Sequence, residues 1–227
     1  MTVHAPRIEV SRDVTPKPAT YRRRSGPYVS GIKRTMDVLL IIATLPFVAP
    51  FILIISAAIY LVDRSSPFFL QERIGRNGKR FTMWKFRTMV PDAETLLEKH
   101  LEVDDDAKSE WESKQKLAND PRCTKIGKFL RSSSLDELPQ LWNVFKGEMS
   151  LVGPRPMMPC QQALYPGQGY YRLRPGMTGS WQVSARNETS FAERAGYDDA
   201  YEQNLSFVND TRIVVSTIGV VFRGTGI

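Results

Sequence analysis

Two adjacent carboxylates, Asp136 and Glu137, stand in the stretch Ser134-Leu-Asp-Glu-Leu-Pro-Gln-Leu-Trp-Asn143, and a Gly-Pro-Arg-Pro turn runs from Gly153 to Pro156. A helix starting at the pair would gather unpaired N–H groups and the positive end of its dipole there, a place that welcomes phosphate. The turn carries Arg155, whose permanently charged guanidinium suits bidentate phosphate contact. Read as chemistry, this is a phosphoryl-transfer site. A structural reading stands beside it. Ser134-x-x-Glu137 fits a capping box, and Asp136 could itself be the N-cap, which would put Pro139 at the third helical position without losing a helical bond. The residues alone leave both open.

Other chemistries are poorly supplied. His4 and His100 are the only histidines and neither sits in a recognisable motif, which argues against a Ser-His-Asp triad or a histidine-rich zinc site. Cys123 and Cys160 lack metal-ligand spacing and are too few for a disulfide framework, as expected of a reducing compartment. Acid, base or nucleophile work therefore falls to carboxylates. The formal charge of +7 is unevenly spread. Arg22, Arg23, Arg24, Lys33 and Arg34 precede an apolar run, and Arg64, Arg73, Arg76, Lys79, Arg80, Lys85 and Arg87 follow it. Basic blocks that flank a membrane-grade segment point to anionic headgroups or phosphorylated substrates, with no nucleic acid partner.

The elements that must position these groups begin with that run, Val38 to Val62, long enough to cross a bilayer, which takes about 20 apolar residues. Pro46 and Pro50 lie near its middle and both flanks are basic. A spanning helix would strand one basic flank outside, whereas a helix that enters, turns at the prolines and returns keeps both on one side. The run is therefore expected to be a re-entrant helix-break-helix, with a kinked spanning helix as the alternative. Thr44 is a candidate partner for backbone groups freed at the break, and Asp37 a candidate cap or partner of Lys33 or Arg34. Residues 1–30 read as a disordered basic tail, 31–63 as the membrane hairpin and 64–227 as one cytoplasmic domain.

Within that domain, Pro67–Gly75 and Phe81–Met89 read as two strands joined at an Asn77-Gly78 turn. Phe81, Met83, Lys85 and Arg87 would share a face, whose basic end could meet phosphates. Pro91 to about Lys116 reads as one polar amphipathic helix, and Thr124 to Ser132 as a short basic one. Leu138, Leu141, Trp142 and Phe145 form an apolar stripe on a helix ending at Lys146-Gly147. Gly176 and Gly179 could let backbone amides approach an anion, and Ser180 to Ser184 is strand-like. Phe191 to about Phe207 looks helical, and Ile213 to Phe222 is a core or interfacial helix too short to span. The expected class is α/β, mainly helical, with a small β-hairpin, interfacial amphipathic helices and the re-entrant segment.

Taken in order, several motifs resemble the bacterial sugar transferase family, the small monotopic phosphoglycosyl transferases. They are Lys33-Arg34-x-x-Asp37, Pro50 at the membrane break, Trp84-Lys-Phe-Arg-Thr-Met89, Ser134 to Asn143, Gly147-x-Met-Ser-Leu-Val-Gly-Pro-Arg-Pro156 and Arg174-Pro-Gly-x-Thr-Gly179. The resemblance covers Lys33 to Phe222. Family members often carry Ser-Pro at the break, where this chain has Ala49-Pro50.

The resemblance implies transfer of a sugar 1-phosphate, glucose or galactose 1-phosphate, from a UDP-sugar to polyprenyl (undecaprenyl) phosphate. The products would be UMP and a polyprenyl-diphosphate sugar that primes exopolysaccharide synthesis. It implies Asp136 as nucleophile, Glu137 beside it holding Mg²⁺ or positioning the acceptor, and Mg²⁺ shared by both carboxylates. Arg155 would clamp a phosphate, helped by Arg174 and by Lys85 or Arg87. It also implies a site on the cytoplasmic face of the bacterial inner membrane, and an exposed apolar face near the membrane could support a homodimer. Two other readings are a membrane-associated glycosyltransferase releasing UDP and a catalytically silent membrane scaffold. The Asp-x-Asp string that the first would need occurs only within Asp104-Asp105-Asp106, in a polar helical region.

Overall fold

The computed structural model describes residues 26–114, 117, 119–184 and 191–222. The expected tail lies outside the described residues up to residue 25, together with Arg22, Arg23 and Arg24. The described chain opens with a π-helical turn, Tyr28–Ile32, whose Tyr28 packs beside Tyr201 and Ile213 in a small apolar cluster.

The apolar run forms one helix, α1 (Lys33–Asp63), continuous through Pro46 and Pro50. No break separates two halves, so the helix-break-helix expected from the prolines is not what the backbone shows. Thr44 does not serve a carbonyl freed by Pro46 either. Its hydroxyl donates to Leu40 O at 2.8 Å and Ile41 O at 3.2 Å, the ordinary back-bond of a helical threonine. One face of the middle of α1 is unpacked: Phe47, Phe51, Leu53 and Ile54 are all more than 60% exposed. Its two ends are docked. Near the start Ile41 joins Phe81, Met83, Val144 and Met149, and near the finish Ile59 joins Phe86 and Leu130.

The expected hairpin is present. β1 (Phe68–Ile74) pairs antiparallel with β2 (Arg80–Phe86), with Phe68 opposite Phe86 and Ile74 opposite Arg80. Asn77 (φ 59°) and Gly78 (φ 73°) are both left-handed, the conformation that makes Asn-Gly a turn signal. The polar stretch after the hairpin is two helices, α2 (Ala93–Val103) and α3 (Asp105–Lys114). Asp104 is extended between them and accepts from Ala107 N at 2.9 Å, so the aspartate starts a new helix where a continuous one was expected. α4 (Lys125–Ser132) begins at an N-cap, with Thr124 Oγ1 accepting from Gly127 N at 2.9 Å.

α5 (Gln140–Lys146) ends at Gly147 (φ 84°), the expected left-handed cap. β3 (Ser150–Val152), α6 (Gly169–Arg172) and β4 (Gly176–Thr178) follow, with β3 and β4 parallel and Ser150 opposite Gly176. This pairing brings the Gly-Pro-Arg-Pro and Arg-Pro-Gly-x-Thr-Gly motifs backbone to backbone. A Cβ at Gly176 would lie 2.1 Å from Gly153 N, and one at Gly179 2.1 Å from Gly153 O. Those glycines serve chain packing, and the Gly176 amide donates to Pro154 O at 2.8 Å.

Ser180–Ser184 is a helical turn, α7, not a strand, with Val183 N donating to Gly179 O at 3.2 Å. α8 (Arg194–Gln203) and α9 (Phe207–Phe222) complete the described residues. α9 buries Ile213 and leaves Phe207, Val208, Val215 and Ile218 exposed, a second apolar surface besides that of α1.

Candidate active site

The acidic pair sits in a 3₁₀ turn, Leu135–Glu137, that runs through Pro139 into α5. Leu135 and Leu138 pin the turn onto Phe86 and Leu130. Ser134 enters it with a left-handed φ of 57° and makes no capping bond through its side chain. Neither structural reading of the pair is therefore realised: there is no capping box, and Asp136 lies inside the turn with its carboxylate free of capping duty. A non-glycine residue in that conformation costs about 1 kcal/mol or more, and here it orients the pair.

Lys85 reaches the pair from β2. Its Nζ lies 2.7 Å from Glu137 Oε1 and 3.6 Å from Asp136 Oδ2. On that strand Phe81 and Met83 fill the core, so the face expected to be basic is largely core with one ammonium at its end. The register between β2 and α5 is fixed by Asn143, which is completely buried. Its amide accepts from Trp84 N at 3.0 Å and donates to Thr82 O at 2.7 Å and Glu148 Oε2 at 2.7 Å. Burial raises the Asp136 carboxyl above the ordinary aspartate range; Lys85 opposes the shift, Glu137 adds to it and Arg131 opposes it. Asp136 is thus a comparatively basic carboxylate held beside a cation. Arg131 is itself braced by Thr88 Oγ1 at 2.9 Å and Cys123 Sγ at 3.2 Å.

A small cavity opens beside Glu137, lined by Arg73, Lys85, Gln140, Arg155 and Gln182. The carbonyl of Arg155 accepts from Arg194 Nη2, and Arg194 is almost fully buried. Tyr165, Tyr170, Trp181 and Phe191 surround that guanidinium at 5.5–5.9 Å from their ring centres, and Asp198 approaches its Nε at 3.4 Å. Burial pushes the Asp198 carboxyl up to about 6 against the pull of Arg194. A larger groove, near Tyr197, Asn204 and Arg212, contains none of these groups.

The structure thus brings Asp136, Glu137, Lys85 and Arg155 together. Arg87 is elsewhere, donating to Asp63 at 2.6 Å at the end of α1. Arg174 is also elsewhere: its Nε donates to Gly147 O at 2.9 Å, and Arg34 donates to Val144 O and Phe145 O. Both arginines neutralise the carbonyl end of α5, opposite the acidic pair. Lys33 pairs with Asp210, while Asp37 accepts from Ser150 Oγ at 2.7 Å, so Asp37 takes neither expected basic partner as its hydrogen-bond donor. Sequence reasoning missed Arg73 and Arg194 as contributors. The available signal was the alternation of Gln71 and Arg73 on one strand face, which does not reveal what that face meets.

The bacterial sugar transferase model matches residues 28–224. The chain is 45% identical over 199 residues to the UDP-galactose-lipid carrier transferase of Erwinia amylovora, covering 86% of this chain and 41% of that protein. It is 44% identical over 196 residues to the exopolysaccharide production protein ExoY of Rhizobium meliloti (strain 1021), covering 86% and 87% respectively. The undecaprenyl-phosphate galactose phosphotransferase of Salmonella typhimurium (strain LT2) is 42% identical over 199 residues, of which the chain covers 86% of itself and 41% of its relative. The chain thus spans less than half the length of two of these relatives and most of the third. With the match extending from Tyr28 into the residues past α9, it belongs to the bacterial sugar transferase family.

Proposed function

We propose that this protein transfers a hexose 1-phosphate from a UDP-sugar to undecaprenyl phosphate, the type of acceptor that relatives' names specify. The carrying observation is Asp136: partly buried, freed from capping, beside Lys85, and next to Glu137, which lines a cavity with Arg155. An Asp136 oxygen attacks the sugar-bearing phosphorus, and the bond from that phosphorus to the UMP oxygen breaks, so that UMP leaves with the electron pair. An oxygen of undecaprenyl phosphate then attacks the same phosphorus and releases the carboxylate, giving undecaprenyl-diphosphate sugar. Two displacements replace one, as in covalent catalysis generally. Lys85 holds the acidic pair in place until substrate arrives, and Arg155 offsets charge on the phosphates.

Mg²⁺ is commonly held by one or two carboxylates together with substrate phosphates. Asp136 and Glu137 fit that donor set, although no group of three or more acidic, His or Cys side chains suited to a metal occurs among the described residues. The ion would supply charge neutralisation where two anions meet.

The site is proposed to work at the cytoplasmic face of the inner membrane, with both ends of the unbroken α1 on that side. Lys33 near one end and Asp63 at the other both contact the same folded domain, and the apolar stretch between them is exposed. A helix that crossed the bilayer would carry one of those ends away from that domain.

The test is nucleotide release by the purified protein in nanodiscs with Mg²⁺, undecaprenyl phosphate and a panel of UDP-sugars. UMP is the expected product, and labelled UMP should exchange into the UDP-sugar when acceptor is omitted. Release of UDP would overturn the reading.

A further inference from the structure

Arg73 sits on β1 and reaches the cavity that contains Glu137 and Arg155. Its terminal nitrogens donate to two neutral acceptors, Pro156 O at 3.0 Å and Gln71 Oε1. Its Nε is buried without a partner. Among the described residues it forms no ion pair, and neither does Arg155. Burial, with the Arg155 charge nearby, lowers the Arg73 guanidinium to about 10, a large displacement for arginine. Lys85, by contrast, is already matched by Glu137 and Asp136. Two guanidiniums share one small cavity whose single carboxylate, Glu137, is already paired with Lys85, a costly arrangement in the empty protein. A bound anion with more than one charge relieves it.

We propose that Arg73 is a second phosphate-binding arginine, which with Arg155 clamps the diphosphate of the donor and itself engages the sugar-bearing phosphate. This rests on the UDP-sugar reading above. Arg73 lines the same cavity as Glu137 and Lys85, the two residues next to Asp136, so its guanidinium faces the space where the attacked phosphorus would lie. The planar fork, already oriented by Pro156 O and Gln71, has N–H groups left over for phosphate oxygens. A purely structural Arg73 would only pin the Pro156 carbonyl, and through it the turn bearing Arg155.

These roles separate by counting phosphates on the ligand. Calorimetric titration of the full chain in nanodiscs with UDP and with UMP, at fixed Mg²⁺ and ionic strength, compares wild type with Arg73→Gln and Arg73→Lys. Glutamine can still donate to Pro156 O but carries no charge. Arg73→Gln should weaken UDP by roughly 10- to 100-fold, the scale of a lost charge-assisted contact, and weaken UMP by less than about threefold. Arg73→Lys should recover part of the UDP affinity. Equal losses for UDP and UMP would show that Arg73 acts only through the turn, and unchanged affinity for both would show that it contacts neither. Either result overturns the proposal, as does a defect confined to the KM for undecaprenyl phosphate. If the glutamine variant does not fold, the ratio of UDP to UMP affinity in the lysine variant separates the same two roles. The nucleotide-release assay decides the reaction separately: UDP as product would overturn that reading without altering these affinity ratios.

Discussion

At Asp136 the side chain's contacts remove one of two roles that look alike in a string of letters, that of helix cap. No capping bond is made, and Lys85 is the cation at hand. Asp136→Asn should leave the protein folded, with a Tm no lower than wild type because a partly desolvated charge has been removed, while transfer falls by at least about a thousandfold. Loss of fold in that variant would return Asp136 to a structural role. Arg194→Gln should remove the donor to the Arg155 carbonyl and reduce kcat/KM by about tenfold or more, since a neutral amide cannot fill the aromatic cage. Asp136, Glu137 and Arg155 were legible because adjacency and a rigid turn are local facts. Arg73 and Arg194 were not, since their partners are distant in sequence. The place of Arg174 was hidden for the same reason, as only the fold reveals that it donates to the carbonyl end of α5.

Among the elements, the β2–α5 contact matters most, because it holds Lys85 against the acidic pair. Asn143→Ala would strand the Trp84 amide and the Thr82 carbonyl, at a cost of about 2–4 kcal/mol, visible as a reduced urea midpoint. Activity should fall with it, even at temperatures where the variant remains folded. Gly176→Ala should be worse, because the added methyl meets the Gly153 backbone at 2.1 Å and neither chain can yield without parting β3 from β4. The hairpin, α4 and the Gly147 cap could be read from turn and capping residues. The β3–β4 pair could not, being three residues a strand with the partner supplied by distant chain. Ser180 to Ser184 alternates like a strand, yet with so few residues the period is ambiguous, and packing against α8 and α9 makes it helical.

For the molecule as a whole, the disposition of α1 has a direct experimental reading. Single cysteines placed at Ile32 and at Arg64, in a background without Cys123 and Cys160, should react with a membrane-impermeant thiol reagent from the same side of oriented vesicles. Labelling from opposite sides would establish a spanning helix. The sequence conveyed the membrane segment through composition but not its shape, because proline lowers helical stability without dictating whether neighbours keep the helix intact. Elsewhere, Asp198 carries a pH signature. Its native value of about 6 lies above the ordinary 3.8, so the native state holds an extra proton between those values. Its contribution to stability is therefore greatest below about 4, declines as pH rises towards 6 and is level above that. A carboxyl-selective NMR titration should find an aspartate midpoint near 6.

The seven-residue α5 has the acidic pair just before its first turn and, at its last carbonyls, Arg34 from the start of the membrane helix. Seven residues of α-helix measure about 10 Å. On the reaction proposed above, α5 would be a ruler between bilayer and Asp136, setting the height at which that carboxylate rides above the lipid surface. One inserted residue would turn the pair by about 100° and move it by about 1.5 Å, stranding an intact carboxylate out of reach of a lipid phosphate whose own height is set by the membrane.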